Sequence, residues 1–586
     1  MADPNMHIIP CVYSRPTGCE KKQMLDFFLM QVRYNDTSKQ ARNVVKLGWC
    51  IPASCTPFAA EKYLNEYFSR LNYSLRKENI TYSAEIPQIL CTSSNGQSGL
   101  DGWDITILTL ILILIVFTST CWEYNNNYDK TEQRTLPYRI FLSFSARRNF
   151  HDLNKSESQD QALSNLYGIR TYAIFMIIMD HRFGIFTGSS SNFDYIEQLY
   201  RNIFVSYIFH GDLFVDTFFV ISGLLVVYNL MTMLERKSLN PGYIVFMRYM
   251  RLTPAYAFII FFTGTIFYHT GNGALWNAVV GTEVRDCRSN WWTNVLYISN
   301  YVNEDHMCMP HSWYLPCDFH YFMIAVGLTY IIKKEKTFGL IALSAMTILS
   351  LAIPFTIILV YERPAFLKFF TGLPGLSKDP SGLSVPSHAR ATPYFIGMFA
   401  GYVYYRLKGS GRILSKGHTA ALLSISFFLL TVCMYTGYVF YDPYHTYNAL
   451  ESAIYGSLQR PVWALGTFGL VYAVSYGTCG FLHKFLSWHF WVPLSKLVYG
   501  AYLWHLQFQN RTLGRITGSQ VFTFFDVITY GFGDICLAFL LALALHLGVE
   551  APVKGILKEI FTPPKLDKTK TSEDADHQAI PETSKL

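Results

Sequence analysis

Charge is the scarcest ingredient of this chain. Asp, Glu, Lys and Arg make up 15% of its 586 residues, against about 25% in a soluble globular protein. Hydrophobic residues reach 51% and aromatics 16%, which excludes a disordered chain and points to a membrane protein. The net charge is only +7. Its lysines and arginines scatter between apolar runs instead of forming one stripe, which argues against a nucleic-acid partner. No CxxC pair and no HExxH occurs, so no metal centre is expected. No repeat of solenoid type is present. The opening "MADPNMHIIP" lacks the basic region and apolar core of a signal peptide, and the natural beginning of the chain is expected to lie upstream.

What is present divides the chain into segments. Residues 1–104 are polar and hold five of the twelve cysteines (Cys11, Cys19, Cys50, Cys55 and Cys91) with sequons at Asn35, Asn72 and Asn79. That pattern predicts a small disulfide-bonded, glycosylated domain on the lumenal or extracellular side. "ITILTLILILIVFTSTCW" (105–122) is the clearest membrane span. Residues 123–166, with Lys130, Arg134, Arg139, Arg147 and Arg148, read as a cytoplasmic loop. Ten more spans are expected near 168–187, 211–231, 254–270, 319–332, 338–361, 393–405, 419–440, 460–478, 497–509 and 530–550. The fold class is then an all-α multipass membrane bundle of about eleven transmembrane helices, with a membrane domain over 167–552. A disordered cytoplasmic tail is expected over 553–586. With the first segment outside, the basic loops fall inside and Cys287 and Cys308 outside, so charge and cysteine agree on one orientation.

"YGIRTYAIFMIIMDHRF" (167–183) is apolar between charged ends. Arg170 and His181 are eleven residues apart, three turns plus about 20°, so they share nearly one face about 16 Å apart along the axis. An arginine at the membrane mouth suits a phosphate, and an imidazole deeper in suits a general base. The plainer reading is a snorkelling arginine and a packed histidine, with Asp180 and Arg182 as interface residues.

Further stretches carry a resemblance. Arg170 and His181 resemble the signature of the acyltransferase-3 membrane enzymes. So do "GDLFVDTFFVISGLLVVY" (211–228), "MRYMRLTPAYAF" (247–258) with Arg248 and Arg251, "HSWYLPCDFHYF" (311–322) and "LVYGAYLWH" (497–505). The leading cysteine-bearing segment with "LGWCIPASCTP" (47–57), "FLSFSARRNFHDL" (141–153) and "CRSNWWTNVLYISNY" (287–301) resembles an animal subgroup named after the nose-resistant-to-fluoxetine proteins. The acidic residue after the tryptophan, more often glutamate in that family, is Asp318 here.

The resemblance implies a membrane-embedded acyltransferase moving an acyl group from acyl-coenzyme A, a donor substrate and not a resident cofactor, to a lipid or other small acceptor. His181 is the expected base, with Asp216 and Asp318 as catalytic carboxylates that orient a histidine. Arg170, Arg248 and Arg251 are the expected donor phosphate site. Ser222, Trp313, His320, Tyr502 and His505 are further site candidates. Ser222 has no preceding glycine to make a nucleophile elbow, so with Gly223 it is expected to provide a small face for helix packing. Trp313 alone would be an interfacial anchor. Asp212 and Asp216 are expected to orient His181 or to pair with Arg182, and Cys287 and Cys308 to form a disulfide. The implied setting is an integral membrane protein of the secretory pathway, in the endoplasmic reticulum or plasma membrane, with a cytoplasmic C-terminus. The competing reading is a non-catalytic carrier of lipids or hydrophobic molecules on the same scaffold.

Overall fold

The computed structural model describes residues 25–34, 44–52, 57–71, 82–86, 91–92, 99–126, 135–155, 163–200, 202–236, 239–273, 275–365, 387–408, 410, 413–442, 445–516 and 520–561. Asn35, Asn72, Asn79, Cys11, Cys19, Cys55 and the chain after Phe561 lie outside the described residues, as do the side chains of Cys50 and Cys91. The expected disulfides and glycans of the leading domain therefore fall outside them too.

That leading domain is not helical throughout. Four antiparallel strands, β1 (Leu25–Tyr34), β2 (Val44–Pro52), β3 (Tyr82–Glu85) and β4 (Cys91–Thr92), form a sheet around β1. Helix α1 (Pro57–Leu71) is tied to β3 through Asn65, whose Nδ2 donates to the Ala84 carbonyl at 2.9 Å while its Oδ1 accepts from Ala84 N–H at 2.7 Å. The all-α expectation is corrected here and, among the described residues, holds from residue 99 onward. β1 and β2 are rich in the branched and aromatic residues that favour strands, as in "LDFFLMQVRY".

The rest is α2 (Gly102–Asn126), α3 (Leu136–Leu142), α4 (Ala146–Asn154), α5 (Leu166–Ser189), α6 (Phe193–Tyr200), α7 (Leu213–Arg236), α8 (Pro241–Gly264) and α9 (Thr282–Val295). There follow α10 (Tyr314–Lys334), α11 (Lys336–Tyr361), α12 (Thr392–Leu407), α13 (Lys416–Tyr435) and α14 (Ala449–Tyr476). The last are α15 (Gly480–Leu486), α16 (Trp491–Gly514), α17 (Phe524–Leu545) and α18 (Ala551–Phe561). Every expected span window holds a helix. Among the described residues, however, seven helices are long and apolar enough to cross a membrane, or eight if the bent pair α14–α15 is one span. The structure thus supports a multipass bundle but not a count of eleven. Helix α5 falls short because Arg170, Asp180, His181 and Arg182 dilute its apolar run, and α12, with 16 residues, is short for a bilayer.

Two expected irregular regions are partly helical. The loop over 123–166 contains α3 and α4, and α4 is strongly amphipathic, with Leu153 and Asn149 buried and Arg147 and Phe150 exposed. The expected tail over 553–586 begins as α18, where Phe561 packs on Tyr243 and Phe246 and Glu559 pairs with Arg139 at 3.4 Å.

Burial separates inner from outer helices. Of the apolar windows, 72% of that in α7 and 67% of that in α10 is buried inside the protein, against 17% in α2 and in α13 and 22% in α11. Outer helices therefore present leucine and isoleucine to lipid, and the inner ones carry the small and polar residues. Helices α7 and α12 meet closely at three glycines. A Cβ on Gly223 would sit 2.2 Å from the Tyr394 carbonyl oxygen, one on Gly397 2.2 Å from that of Val220, and one on Gly401 2.4 Å from that of Leu224. Of the small face expected at Ser222 and Gly223, Gly223 is used for packing, while Ser222 hydrogen-bonds to Asp318. Because each obstacle is backbone, no rotamer change relieves it, and Gly397→Ala is expected to cost about 1–3 kcal/mol, read as a lowered melting temperature of the detergent-solubilised protein.

Candidate active site

Helix α5 runs unbroken from Arg170 to His181, so the shared face expected from their spacing is kept. What turns that face inward is the next residue. Arg182 is 1% exposed and grips Asp534 of α17 with two hydrogen bonds, Nε to Oδ2 at 2.6 Å and Nη2 to Oδ1 at 2.7 Å. Gln509 of α16 donates to the same carboxylate at 2.9 Å and to the Ile178 carbonyl at 3.0 Å. Arg182 is therefore no interface residue, and neither is Asp180, which is 9% exposed and packed against Gly211. The periodicity of α5 conceals this because Arg182's partner lies 352 residues away in sequence.

With α5 and α16 locked together, His181 Nδ1 meets His505 Nε2 at 2.8 Å, the two rings nearly parallel at 11°. His505 is wholly buried and its Nδ1 lies 2.7 Å from the Tyr502 carbonyl. A carbonyl only accepts, so His505 carries its proton on Nδ1. With both rings neutral, His505 Nε2 then accepts from His181 Nδ1–H, and the lone pair of His181 is left on Nε2. A chain of two hydrogen bonds sets the tautomer of His181.

A third imidazole, His311, stands edge-on to His505 at 5.3 Å and to Tyr502 at 5.7 Å. It is 6% exposed and neither ring nitrogen has a well-formed hydrogen bond among the described residues. The Tyr502 hydroxyl donates to the His311 carbonyl at 2.5 Å. The loop bearing His311 is held by the expected Cys287–Cys308 disulfide and by Asn294, whose Nδ2 donates to the Cys308 carbonyl and to the Tyr256 hydroxyl, both at 2.7 Å. Met309 has φ of 53° between these anchors, a left-handed conformation that persists where its surroundings over-determine it. Among the described residues no group of three His, Cys, Asp or Glu side chains is arranged to hold a metal ion.

Towards the other end of α5, Arg170 lies close enough to Arg251 of α8 for the charges to repel, and Tyr314 is also within its electrostatic reach. Among the described residues neither arginine has an acidic partner. Arg248 behaves differently. Its Nη2 donates to Asp318 Oδ2 and approaches Ser222 Oγ at 3.3 Å, while Ser222 Oγ donates to Asp318 Oδ1 at 2.7 Å. The guanidinium also stacks on Phe322 at 4.2 Å. Asp318 is thus partnered by an arginine and a serine, not by a histidine, and Arg248 is neutralised where it was expected to be free for phosphate.

Asp216 likewise serves another purpose than orienting His181. Arg460 of α14 donates to Asp216 at 2.9 Å and to Asp212 at 3.1 Å, and Arg390 donates to Asp212 at 3.2 Å, so two carboxylates and two guanidiniums share one cluster. Arg390 also stacks on Trp313 at 4.5 Å, which makes Trp313 a cover for that cluster. His320 turns away from α5 and bonds Ser387 Oγ at 2.9 Å. Of the candidates, His181, His505 and Tyr502 are brought together at one end of α5, and Arg170 and Arg251 approach each other towards the other end. His311 and Tyr314 escaped singling out by sequence, although both lie in the "HSWYLPCDFHYF" stretch.

A family model described as an acyltransferase domain, acyltransferase 3, matches residues 163–547. The chain belongs to the acyltransferase-3 family. It is also 24% identical over 566 residues to nose resistant to fluoxetine protein 6 of Caenorhabditis elegans, covering 89% of this chain and 67% of that protein. No solved structure gives a significant match. The matched span covers α5 through α17 and so contains the imidazole cluster, the paired arginines and both buried charge clusters; α1 to α4 and the sheet lie outside it. Within this acyltransferase domain the Arg182–Asp534 pair should be a structural requirement. Arg182→Met leaves Asp534 buried without its cation and should cost about 3–5 kcal/mol, whereas Arg182→Met with Asp534→Leu should recover most of the loss, both read by thermal unfolding.

Proposed function

We propose that this protein transfers an acyl group from acyl-coenzyme A to a hydroxyl or amine of a lipid or other small acceptor, with His181 as general base. The observation that carries the reading is the chain from the Tyr502 carbonyl through His505 to His181, because it leaves an unprotonated nitrogen on the residue that has to take a proton. A neutral hydroxyl attacks a thioester slowly unless its proton is removed as the bond forms. His181 Nε2 takes that proton, the acceptor oxygen or nitrogen bonds to the acyl carbon, and the carbon–sulfur bond breaks. His181 then returns the proton to the departing thiolate. His505 supports the imidazolium that forms in between by accepting from its Nδ1–H, and burial keeps competing water out.

The donor's phosphates are assigned to Arg170 and Arg251. Two like charges with no carboxylate beside them among the described residues are stabilised by an anion, and guanidinium groups bind phosphate through paired hydrogen bonds. Arg248 is left out of this set because Asp318 already occupies it. About 16 Å along α5 separates the phosphate end from the base, which suits a donor whose phosphates and thioester are far apart. Lipid partners, a lumenal first domain and a cytoplasmic C-terminus complete the reading, so that the donor enters from the side on which the basic loops lie.

Acyl transfer by the purified protein tests this. His181→Ala should lower turnover by about 10²–10⁴-fold while coenzyme A still raises the melting temperature. Arg170→Ala should remove a charge-assisted contact of about 1.5–3 kcal/mol, seen as a raised KM for the donor and a smaller thermal shift. Full activity in His181→Ala would remove the base, and no thermal shift in any form would favour a carrier without donor chemistry.

A further inference from the structure

A cavity of about 290 Å³ lies between α10, α11 and α12; His320 lines it, and none of His181, His505, His311, Arg170 and Arg251 does. Its walls divide by chemistry. Ile324, Met346, Leu349, Ile353 and Phe395 make an apolar tube, and Tyr301, His320, Ser387 and His388 sit together at one end. From Ile353 to Met346 the tube follows seven residues of α11, about 10 Å. The polar end is ordered. The Tyr301 hydroxyl and His388 Nδ1 are 3.2 Å apart with their rings stacked, and His320 Nδ1 meets Ser387 Oγ at 2.9 Å. No Lys, Arg, Asp or Glu is among the described lining residues. Leu349 is 51% exposed and Ile324 38%; both lie within segments apolar enough to cross a membrane, so the tube opens sideways towards lipid.

We infer that this cavity is a binding site for a single-chain lipid with an uncharged hydroxyl-type head, distinct from the acyl-transfer site. The size is at the small end of ligand pockets, about 300–1,000 Å³, which fits one alkyl chain and excludes a two-chain phospholipid. The described lining is uncharged and disfavours a carboxylate or phosphate head, since a charge taken from water into this site would find no counter-charge among the described lining residues. The hydroxyl and imidazole groups at one end supply the donor and acceptor that an alcohol needs, and the rings of Tyr301 and His388 form a wall against the first carbons. Tyr321 connects the cavity to the rest of the bundle. It lines the tube, donates its hydroxyl to the Ser387 carbonyl and packs on Phe219 of α7 at 5.3 Å. Occupancy is therefore read by the same helix, α10, that carries Asp318. The inference does not rest on the acyl-transfer reading.

The test is photolabelling of the full-length purified protein with a medium-chain alkanol that carries a mid-chain diazirine, followed by peptide mass spectrometry. Saturable labelling of the α10 and α11 segments around Ile324 and Met346 is expected. It should be competed by the unmodified alkanol far better than by the corresponding carboxylate, and retained in His181→Ala. Leu349→Trp and Ile324→Trp, each filling the tube from its lipid side, should abolish the saturable component. Labelling spread along the lipid-facing side of α11 without competition, or unchanged in both tryptophan variants, would overturn the site. Equal competition by the carboxylate would overturn the uncharged head. If both variants fail to elute as single species in size exclusion, competition in the unaltered protein decides the matter alone.

Discussion

The grip of Arg182 on Asp534 sets the rotation of α5, and nearly everything at the site follows from that rotation. Inside a bilayer neither group has water to fall back on, so the pair is made well or the helices do not meet. Two hydrogen bonds to one carboxylate, with Gln509 adding a third, fix α5, α16 and α17 against one another. A residue one position earlier on α5 is then aimed between α5 and α16, and that residue is His181. The ionic contact has no chemistry of its own. It determines which face of an otherwise apolar helix looks inward.

The same economy recurs twice. Arg248, Ser222 and Asp318 tie α8, α7 and α10, and Asp212, Asp216, Arg390 and Arg460 tie α7 to α14 and to the turn before α12. Each cluster satisfies charge with charge at a helix crossing. The apolar surface does little to choose partners, because lipid chains are as good a neighbour as leucine. Position is chosen instead by these polar knots and by close contacts such as that of Gly397 with the Val220 backbone. Arg170 and Arg251 stand outside this pattern, since no acidic group among the described residues answers them. That exception sets the proposed anion-binding end of the site apart from its scaffolding.

Much of this was legible in the sequence. The apolar runs located the helices, and the spacing of Arg170 and His181 gave their common face because a helix has one fixed period. The ordered landmarks gave the family. Pairing was not legible. Asp318 was expected beside a histidine and Asp216 beside His181 or Arg182, and they answer Arg248 and Arg460 instead, because the partner of a buried carboxylate depends on which helices touch and not on local order. Arg182 and Asp534 illustrate it best: 352 residues separate them and neither carries a periodic signal. The strands of the first domain escaped notice because cysteines and sequons describe a compartment, not a backbone conformation. His311 was missed since it stood beside Trp313 and Asp318, whose side chains drew the functional reading.

At the centre of this picture His181 and His505 work as one unit, the second ring setting the proton on the first. A double-mutant cycle on the rate of acyl transfer measures that directly. His181→Ala, His505→Ala and the double variant should share nearly the same residual rate, because removing either member breaks the relay and a second loss has nothing left to remove. Losses that multiply in the double variant, or a His505→Ala protein as fast as the unaltered one, would show that the contact between the rings is packing alone.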